Sequence, residues 1–378
     1  MNKNIVCHFT SAHEYDDVRV FQKECVSLAK AGFEVYLVAP NAKSELVDGV
    51  HIVGVPSPSM NPLYRLFFLS RKIYKKTCKI DANIYHFHDI ELFWFGLKLK
   101  KAGKRVIFDS HEDWPQYVNE IVWLPSFFRR IFYKLLVHQY KRKLHKFDRV
   151  VTVSPHIASN MSLYSNCNIE IVTNYPILSS NLNTIERSDY TNRKNVLCYS
   201  GTVYRNTCQQ EIIQAIQSID NIEYKIIGKI DPQYKLTLKS YDIRNKVTFI
   251  DWVSKSELIE LYKKSSIGII IFEYSPNVGF KQGTMGNNKI FEYMYAGLPI
   301  VCTNFSLWNE LIVDKYNCGI SVRPKSVDNI REAIAILCEN KNLAYEMGRN
   351  GQYAVFNEFN WDTQKQNLLK IYSDLLFK

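Results

Sequence analysis

Several large classes of protein are excluded by what this chain lacks. Nowhere do about 18 uncharged apolar residues follow one another, so no membrane-crossing helix is predicted. The N-terminal "MNKNIVCHFTSAHE" has too short an apolar stretch for a signal peptide, which predicts a protein made and kept in the cytoplasm. Nine cysteines, an odd number, include no C-x-x-C pair. Cys7, Cys198 and Cys302 fall inside apolar, strand-like runs where a thiol behaves as a small hydrophobe, so the pattern predicts a reducing compartment and no structural zinc. There is no internal repeat, no low-complexity tract and no nucleic-acid-binding motif, and nucleic acid is not an expected partner.

What is present suits a folded enzyme-sized protein. A chain of 378 residues exceeds what one core organises, so two domains are expected. The apolar fraction of 46% against 22% charge excludes wholesale disorder. The net charge of +11 is uneven: residues 1–180 carry 24 basic against 16 acidic side chains, and the remainder 24 against 21. The excess gathers in "NPLYRLFFLSRKIYKKTCK" and "LPSFFRRIFYKLLVHQYKRKLHK", with six and seven basic residues, none acidic, and interleaved aromatics. Two readings fit these segments: amphipathic helices whose apolar stripe is core, or a surface for an anionic bilayer, where each cation contributes on the order of 1 kcal/mol.

Short apolar runs alternate with helical patterns and glycines at helix ends: "NIVCHFT", a helix over about 18–31, "FEVYLVAP", "NIYHFHD", "KRVIFDSH" and "RVVTVS". This is βαβ punctuation, and it predicts an α/β, doubly wound parallel sheet over residues 1–176. Residues 177–194 are polar and without period, as a linker is. The alternation resumes over 195–361 with "NVLCYSG", "YKIIG", "SSIGIIIFEY" and "PIVCTN", predicting a second Rossmann-like domain. Residues 362–378 form an amphipathic helix, expected to pack back on the first domain. Ligands of open α/β sheets bind at the carboxyl ends of strands, so function is sought in the loops there.

Three such loops carry chemistry. "GNNKIFEYMYAGLPIV" starts a helix near Asn287 or Asn288, with Gly286 before it. The helix start favours an anion, yet Lys289 stands in its first turn, where a cation opposes the dipole. A phosphate partner would explain it, and Glu292 three residues on could accept hydrogen bonds from a vicinal diol such as a ribose. An exposed i,i+3 ion pair accounts for the same spacing. "CYSGTVYRN" sets Gly201 after a strand and Arg205 four residues later, which suits a diphosphate or a plain turn. "VIFDSHEDW" puts His111 at a strand tip, where it could exchange a proton near neutral pH. His86 and His88 alternate to one strand face; with Asp89, His111 and Asp113 they compose an alternative, a metal-dependent hydrolase, although a buried, satisfied role also fits His86. His13, Asp16, Asp17 and Arg19 follow the first strand, where capping and helix-start charge explain them equally well.

In their order and spacing, "SAHEYDDVRVFQKECVSLAKAGFEV", "HFHDIELF", "VIFDSHED", "VTNYP" and, most specifically, "NNKIFEYMYAGLPIV" followed by "LWNELI" and "NCGISV" carry a resemblance. From end to end the chain resembles the retaining GT-B glycosyltransferases of glycosyltransferase family 4, particularly bacterial members of polysaccharide and glycolipid pathways. The resemblance implies two Rossmann-like domains facing a cleft, and transfer from a nucleotide-diphosphate sugar to a saccharide or lipid-linked acceptor with retention of configuration. No cofactor and no essential metal are expected. It implies donor binding by Gly201, Arg205, Glu273, Gly286, Asn288, Lys289 and Glu292, catalysis by His111, Arg205 and Lys289, and an acceptor side at His13, Asp17 and Arg19. Two departures stand out: the gap from Glu273 to Glu292 is longer than in relatives, and Thr202 stands where they carry arginine. A peripheral position on the inner face of the membrane follows from the basic segments. A sugar-nucleotide epimerase or hydrolase on the same fold is the nearest alternative.

Overall fold

The computed structural model describes residues 4–121, 124–178, 184–242, 244–275 and 278–376. The chain divides into two compact units, Met1–Asn174 with Trp361–Lys378, and Tyr175–Asn360.

The first unit is built on an eight-stranded sheet: β1 (Ile5–Phe9), β2 (Glu34–Pro40), β3 (Glu45–Val47), β4 (Val50–Val55), β5 (Ile84–Phe87), β6 (Arg105–Ser110), β7 (Arg149–Thr152) and β8 (Ile169–Ile171). Their order is β3-β4-β2-β1-β5-β6-β7-β8, with every pair parallel except the short β3 edge. The central strands are apolar on both faces because helices cover both, which is why they read as unbroken hydrophobic runs. His8 and His86 pair in register across β1 and β5, and the order reverses between those two strands. The C-terminal helix Trp361–Leu376 belongs to this unit. The Trp361 indole donates to Ser27 Oγ at 2.9 Å, and Tyr372 is fully buried.

The second unit has six parallel strands: β9 (Asn195–Ser200), β10 (Ile222–Ile227), β11 (Val247–Ile250), β12 (Ile267–Ile270), β13 (Ile300–Thr303) and β14 (Gly319–Val322). The order β11-β10-β9-β12-β13-β14 is that of a dinucleotide-binding Rossmann sheet, with its reversal between β9 and β12. Residues 177–194, expected as a linker, belong with this unit where they are described. A short helix, Arg187–Thr191, forms there because Tyr190 is buried in the core and its hydroxyl reaches the Ser266 carbonyl. A single anchoring aromatic among polar residues carries no periodicity, so the segment reads as loop. Part of it, residues 179–183, lies outside the described residues.

Candidate active site

In the second unit three of the sequence-predicted donor residues, Gly201, Lys289 and Glu292, meet at the strand-order reversal. Gly201 follows β9 at φ +115°, a backbone that side-chain-bearing residues rarely adopt. A Cβ there would lie 2.2 Å from Lys289 Cε and 2.8 Å from Nζ, so the missing side chain is the room the lysine occupies. Gly228, just past β10, is packed in turn against the Gly201 carbonyl, where a Cβ would come within 2.6 Å. Lys289 sits in the first turn of the helix Asn288–Tyr295, capped by Asn287, whose side chain accepts from the Lys289 N–H. Burial pushes the Lys289 ammonium below its ordinary pKa, with Glu292 pulling the other way. Its Nζ makes no ion pair among the described residues and rests 5.8 Å from the centre of the Tyr199 ring. A desolvated cation at a helix N-terminus, beside a glycine loop, is a site prepared for an anion.

Glu292 lies one turn further along, half-buried. Its Oε2 accepts from the Tyr262 hydroxyl at 3.2 Å, and that hydroxyl is 2.6 Å from Ser200 Oγ. The Ser200 N–H donates to Tyr293. The last residue of β9 therefore holds the carboxylate in place through a tyrosine, leaving Oε1 for a ligand diol. Sequence reasoning missed Tyr262, Ser200 and Gly228, since a lone tyrosine in an amphipathic helix and a serine ending a strand carry no pattern.

Other predicted donor residues are placed less tellingly. Arg205 stands in a short turn, Arg205–Thr207, exposed, with its guanidinium 5.0 Å from the centre of the Tyr234 ring. Glu273 makes a surface ion pair with Lys325 at 2.8 Å, and its N–H donates to the Asn206 carbonyl. Gly286 is exposed and donates to Thr284 Oγ1, while Asn288 Oδ1 is buried without a hydrogen-bond partner. Of the glycine-rich loop before this helix, residues 276–277 lie outside the described residues.

At the corresponding reversal of the first sheet, Asp89 organises the loop after β1. Its Oδ2 accepts from the Thr10 hydroxyl at 2.7 Å, the Ser11 N–H at 2.6 Å and the Ala12 N–H at 3.2 Å. His13 is thereby brought within 3.6 Å of Asp89 and 3.4 Å of Asp17. Burial works against its charge, but the hydrogen bond to Asp17 and the carboxylates of Asp89 and Asp109 raise the His13 pKa above its ordinary value. Its ring centroid is 4.9 Å from that of His111. Behind them Asp109, at the end of β6, is fully buried. Burial opposes its charge, yet the Arg19 guanidinium and the hydrogen bonds from His111 and His88 hold its carboxyl well below the usual range. His111 Nε2 lies 2.9 Å from Asp109 Oδ2, which only accepts, and 3.2 Å from the Arg19 Nε–H, which only donates, so its two neighbours ask opposite roles of that nitrogen. Burial, with Arg19 and His13 nearby, pushes His111 down to about 4 in spite of Asp109.

One acceptor-side expectation, Arg19, is corrected here. Arg19 is 4% exposed, paired with Asp109 and Glu24 and donating to the Val172 carbonyl at 2.7 Å, so it braces the site from inside and cannot meet an acceptor. Asp17 caps the helical stretch Val18–Cys25, accepting from the Arg19 and Val20 N–H groups, which is the capping role its position also allowed. Of the five residues of the hydrolase alternative, His86, His88 and His111 lie side by side, with ring centroids 4.7 Å and 5.4 Å apart, but the two carboxylates are engaged elsewhere. Asp89 is consumed by the β1 loop, and Asp113 caps the helix Trp114–Glu120 while accepting from Asn160 at 2.7 Å.

Two Rossmann-like units of these strand orders, each with polar groups at its strand-order reversal, are those of the GT-B class of fold. Residues 18–175 match the family model Glycosyltransferase Family 4, and residues 183–353 match that of glycosyl transferases group 1. The chain belongs to these glycosyltransferases. An uncharacterized glycosyltransferase of Methanocaldococcus jannaschii, MJ1069, is 26% identical over 187 residues, which cover 48% of this chain and 45% of that relative's length. Among solved structures, sucrose-phosphate synthase from Thermosynechococcus elongatus superposes with a TM-score of 0.77 at 16% identity, covering 99% of both chains. Anabaena Alr3699/HepE, in complex with UDP and glucose, gives 0.71 at 12% identity, covering 98% of this chain and 100% of its own.

Proposed function

We propose that this protein transfers a sugar from a nucleotide-diphosphate donor to a saccharide or lipid-linked acceptor, with retention at the anomeric carbon. The observation that carries the reading is the Lys289 ammonium seated against Gly201, with Glu292 held by Tyr262 one turn away. The spacing suits a diphosphate beside its ribose. The departing diphosphate is an oxyanion, and a fixed cation at a helix N-terminus stabilises it more in the transition state than in the ground state. No divalent metal is required for that step. Arg205 adds a second charge on reaching the phosphate from its exposed turn, and Glu273 lines the donor side once its surface pair with Lys325 opens. His111, which burial keeps neutral, orients a sugar hydroxyl, and His13 neighbours it. Complexes of HepE with UDP and glucose support a uridine nucleotide as the first donor to try.

The acceptor side is proposed to work at an anionic membrane, as enzymes of surface polysaccharide and glycolipid assembly do. Leu63, Phe67 and Phe68 on one basic segment, and Phe127, Phe128 and Leu135 on the other, are exposed among the lysines and arginines, which favours the bilayer reading over the core one. No described helix is long and apolar enough to cross a membrane, and the attachment proposed is a peripheral one.

The test is a thermal-shift screen against UDP-, GDP-, ADP- and TDP-sugars, since a ligand that binds the native state raises its stability by mass action. One nucleotide class should raise the melting temperature of the wild type and fail to do so for Lys289→Ala and Glu292→Ala. A shift of equal size in both variants would place the donor elsewhere. Product analysis with and without acceptor separates transfer from epimerisation or hydrolysis.

A further inference from the structure

Behind His111, in the interior of the first unit, lies a group of side chains that the transfer reading does not use. His8 on β1, His86 on β5, His88 just beyond it, and Glu24 in the helix after β1 are each at most 1% exposed. One nitrogen of each ring and a carboxylate oxygen of Glu24 lie within 4.8 Å of one another. The opposite nitrogens are already engaged. His8 Nε2 is 2.9 Å and His86 Nδ1 2.6 Å from the Tyr372 hydroxyl, and His88 Nδ1 is 3.3 Å from Asp109 Oδ2.

The protons can be assigned one by one. Asp109 accepts only, so His88 carries its proton on Nδ1, and His88 Nε2 is a lone pair directed at His8 Nδ1, 3.0 Å away. Protons alone satisfy that contact if His8 Nδ1 donates, Tyr372 donates to His8 Nε2, and His86 Nδ1 donates to Tyr372. They do not satisfy the rest. His86 Nε2 and both Glu24 oxygens are buried without a hydrogen-bond partner. Around them stand Arg19 Nη2, 3.1 Å from Glu24 Oε1, His8 Nδ1, 4.0 Å from Glu24 Oε2, and Asp109, whose Oδ2 is 4.0 Å from His86 Nε2 and whose carboxylate also reaches Glu24. The Arg19 guanidinium meets Glu24 Oε1 by charge; what is left, Glu24 Oε2 and His86 Nε2 beside the lone pair of His88 Nε2, lies together in a dry interior where a shared cation would satisfy all three.

We propose that His8, Glu24, His86 and His88 bind one divalent transition-metal ion, zinc by ligand type, in a closed structural site. Three imidazoles and a carboxylate complete a tetrahedral zinc shell, with bonds of about 2.0–2.2 Å that ask each ligand to move inward by under about 1 Å. Each ring would pass its other N–H to an oxygen, of Tyr372 or of Asp109, which is the outer arrangement metal-bound histidines adopt. The ion would tie β1, β5 and the helix after β1 together, and through Tyr372 the C-terminal helix as well. All four positions are filled by buried side chains, so it offers no open site to a substrate, unlike the metal of a hydrolase. The cysteine spacing gave no sign of it, because the site uses no cysteine.

The test measures metal on the purified 378-residue chain and does not depend on transfer activity, so it stands apart from the glycosyltransferase reading. After dialysis against zinc and then metal-free buffer, elemental analysis should find one zinc per chain. Cobalt in its place should give the visible absorption of a tetrahedral ion, and added zinc should raise the melting temperature of stripped protein. Glu24→Gln and His86→Gln should each weaken zinc binding at least about tenfold. If either variant fails to fold, the wild-type stoichiometry and cobalt spectrum decide alone. Zinc and cobalt both absent after loading would overturn the proposal and leave a proton on Glu24 as what closes the network. Metal retained undiminished in both variants would overturn it equally, by placing the ion elsewhere.

Discussion

Replacing Gly201 with alanine perturbs one methyl group and tests the donor site at its tightest point. The new Cβ would stand 2.2 Å from Lys289 Cε, where carbon atoms rest at about 3.5–4.0 Å, so the lysine end must withdraw by more than about 1 Å. The lysine is the flexible partner, so the clash itself costs little. The backbone cannot yield as easily: at φ +115° a side chain brings strain of about 1–3 kcal/mol, and Gly228 lies against the Gly201 carbonyl on the other side. Unfolding in urea should therefore show a loss of about 1–3 kcal/mol. The larger effect should be on catalysis, since a charge displaced by about 1 Å can cost on the order of 10²-fold in kcat. Lys289→Ala should cost about 10²–10³-fold through the lost cation. Adding Gly201→Ala to Lys289→Ala should then lower stability further with no added loss of rate, the non-additivity expected when two changes remove one interaction. Unchanged kcat in Gly201→Ala, with Lys289→Ala impaired, would refute the claim that the ammonium works from where it now rests.

Three further outcomes are expected. Tyr262→Phe removes the bond that holds Glu292, so it should weaken donor binding several-fold in the wild type and not at all in a Glu292→Ala background, and it should cost about 1 kcal/mol of stability through Ser200. His13 is raised and Asp17 lowered by their pairing, so the pair stabilises the fold fully between about pH 4 and 6.5, loses its effect as pH rises through the raised His13 pKa, and loses it again in strong acid. Asp17→Asn keeps the helix cap but should bring the His13 NMR titration back towards 6.5, with the stability gap to wild type closing above that range; a His13 midpoint unmoved by the substitution would contradict the pairing. Phe127→Ser with Phe128→Ser should reduce sedimentation with anionic vesicles while leaving soluble-substrate turnover intact, and equal binding to neutral and anionic vesicles would remove the membrane from the account.

How much of this was legible in the sequence depends on how far apart the partners stand along the chain. Lys289 and Glu292 declare themselves three residues apart, because a lysine in a helix's first turn conflicts with the dipole and the conflict needs an explanation. Gly201 was visible only as a glycine after a strand; that its empty side is the lysine's seat depends on a parallel sheet order that joins β9 to the distant β12 as well as to its sequence neighbour β10. Arg19 shows the opposite failure. Beside Asp16 and Asp17 it reads as solvated helix-start charge, and nothing local says that Asp109, ninety positions away, takes it inside. Histidines give the least away. His8, His86 and His88 lie in apolar runs that fold as buried strands whatever those positions hold, so the sequence shows that they are enclosed and stays silent on what they enclose. Their proton assignments become determinate only when Tyr372, on the last helix, and Asp109, on β6, are placed on either side of them, and it is that accounting, atom by atom, that leaves His86 Nε2 and Glu24 Oε2 over once Arg19 has taken Glu24 Oε1.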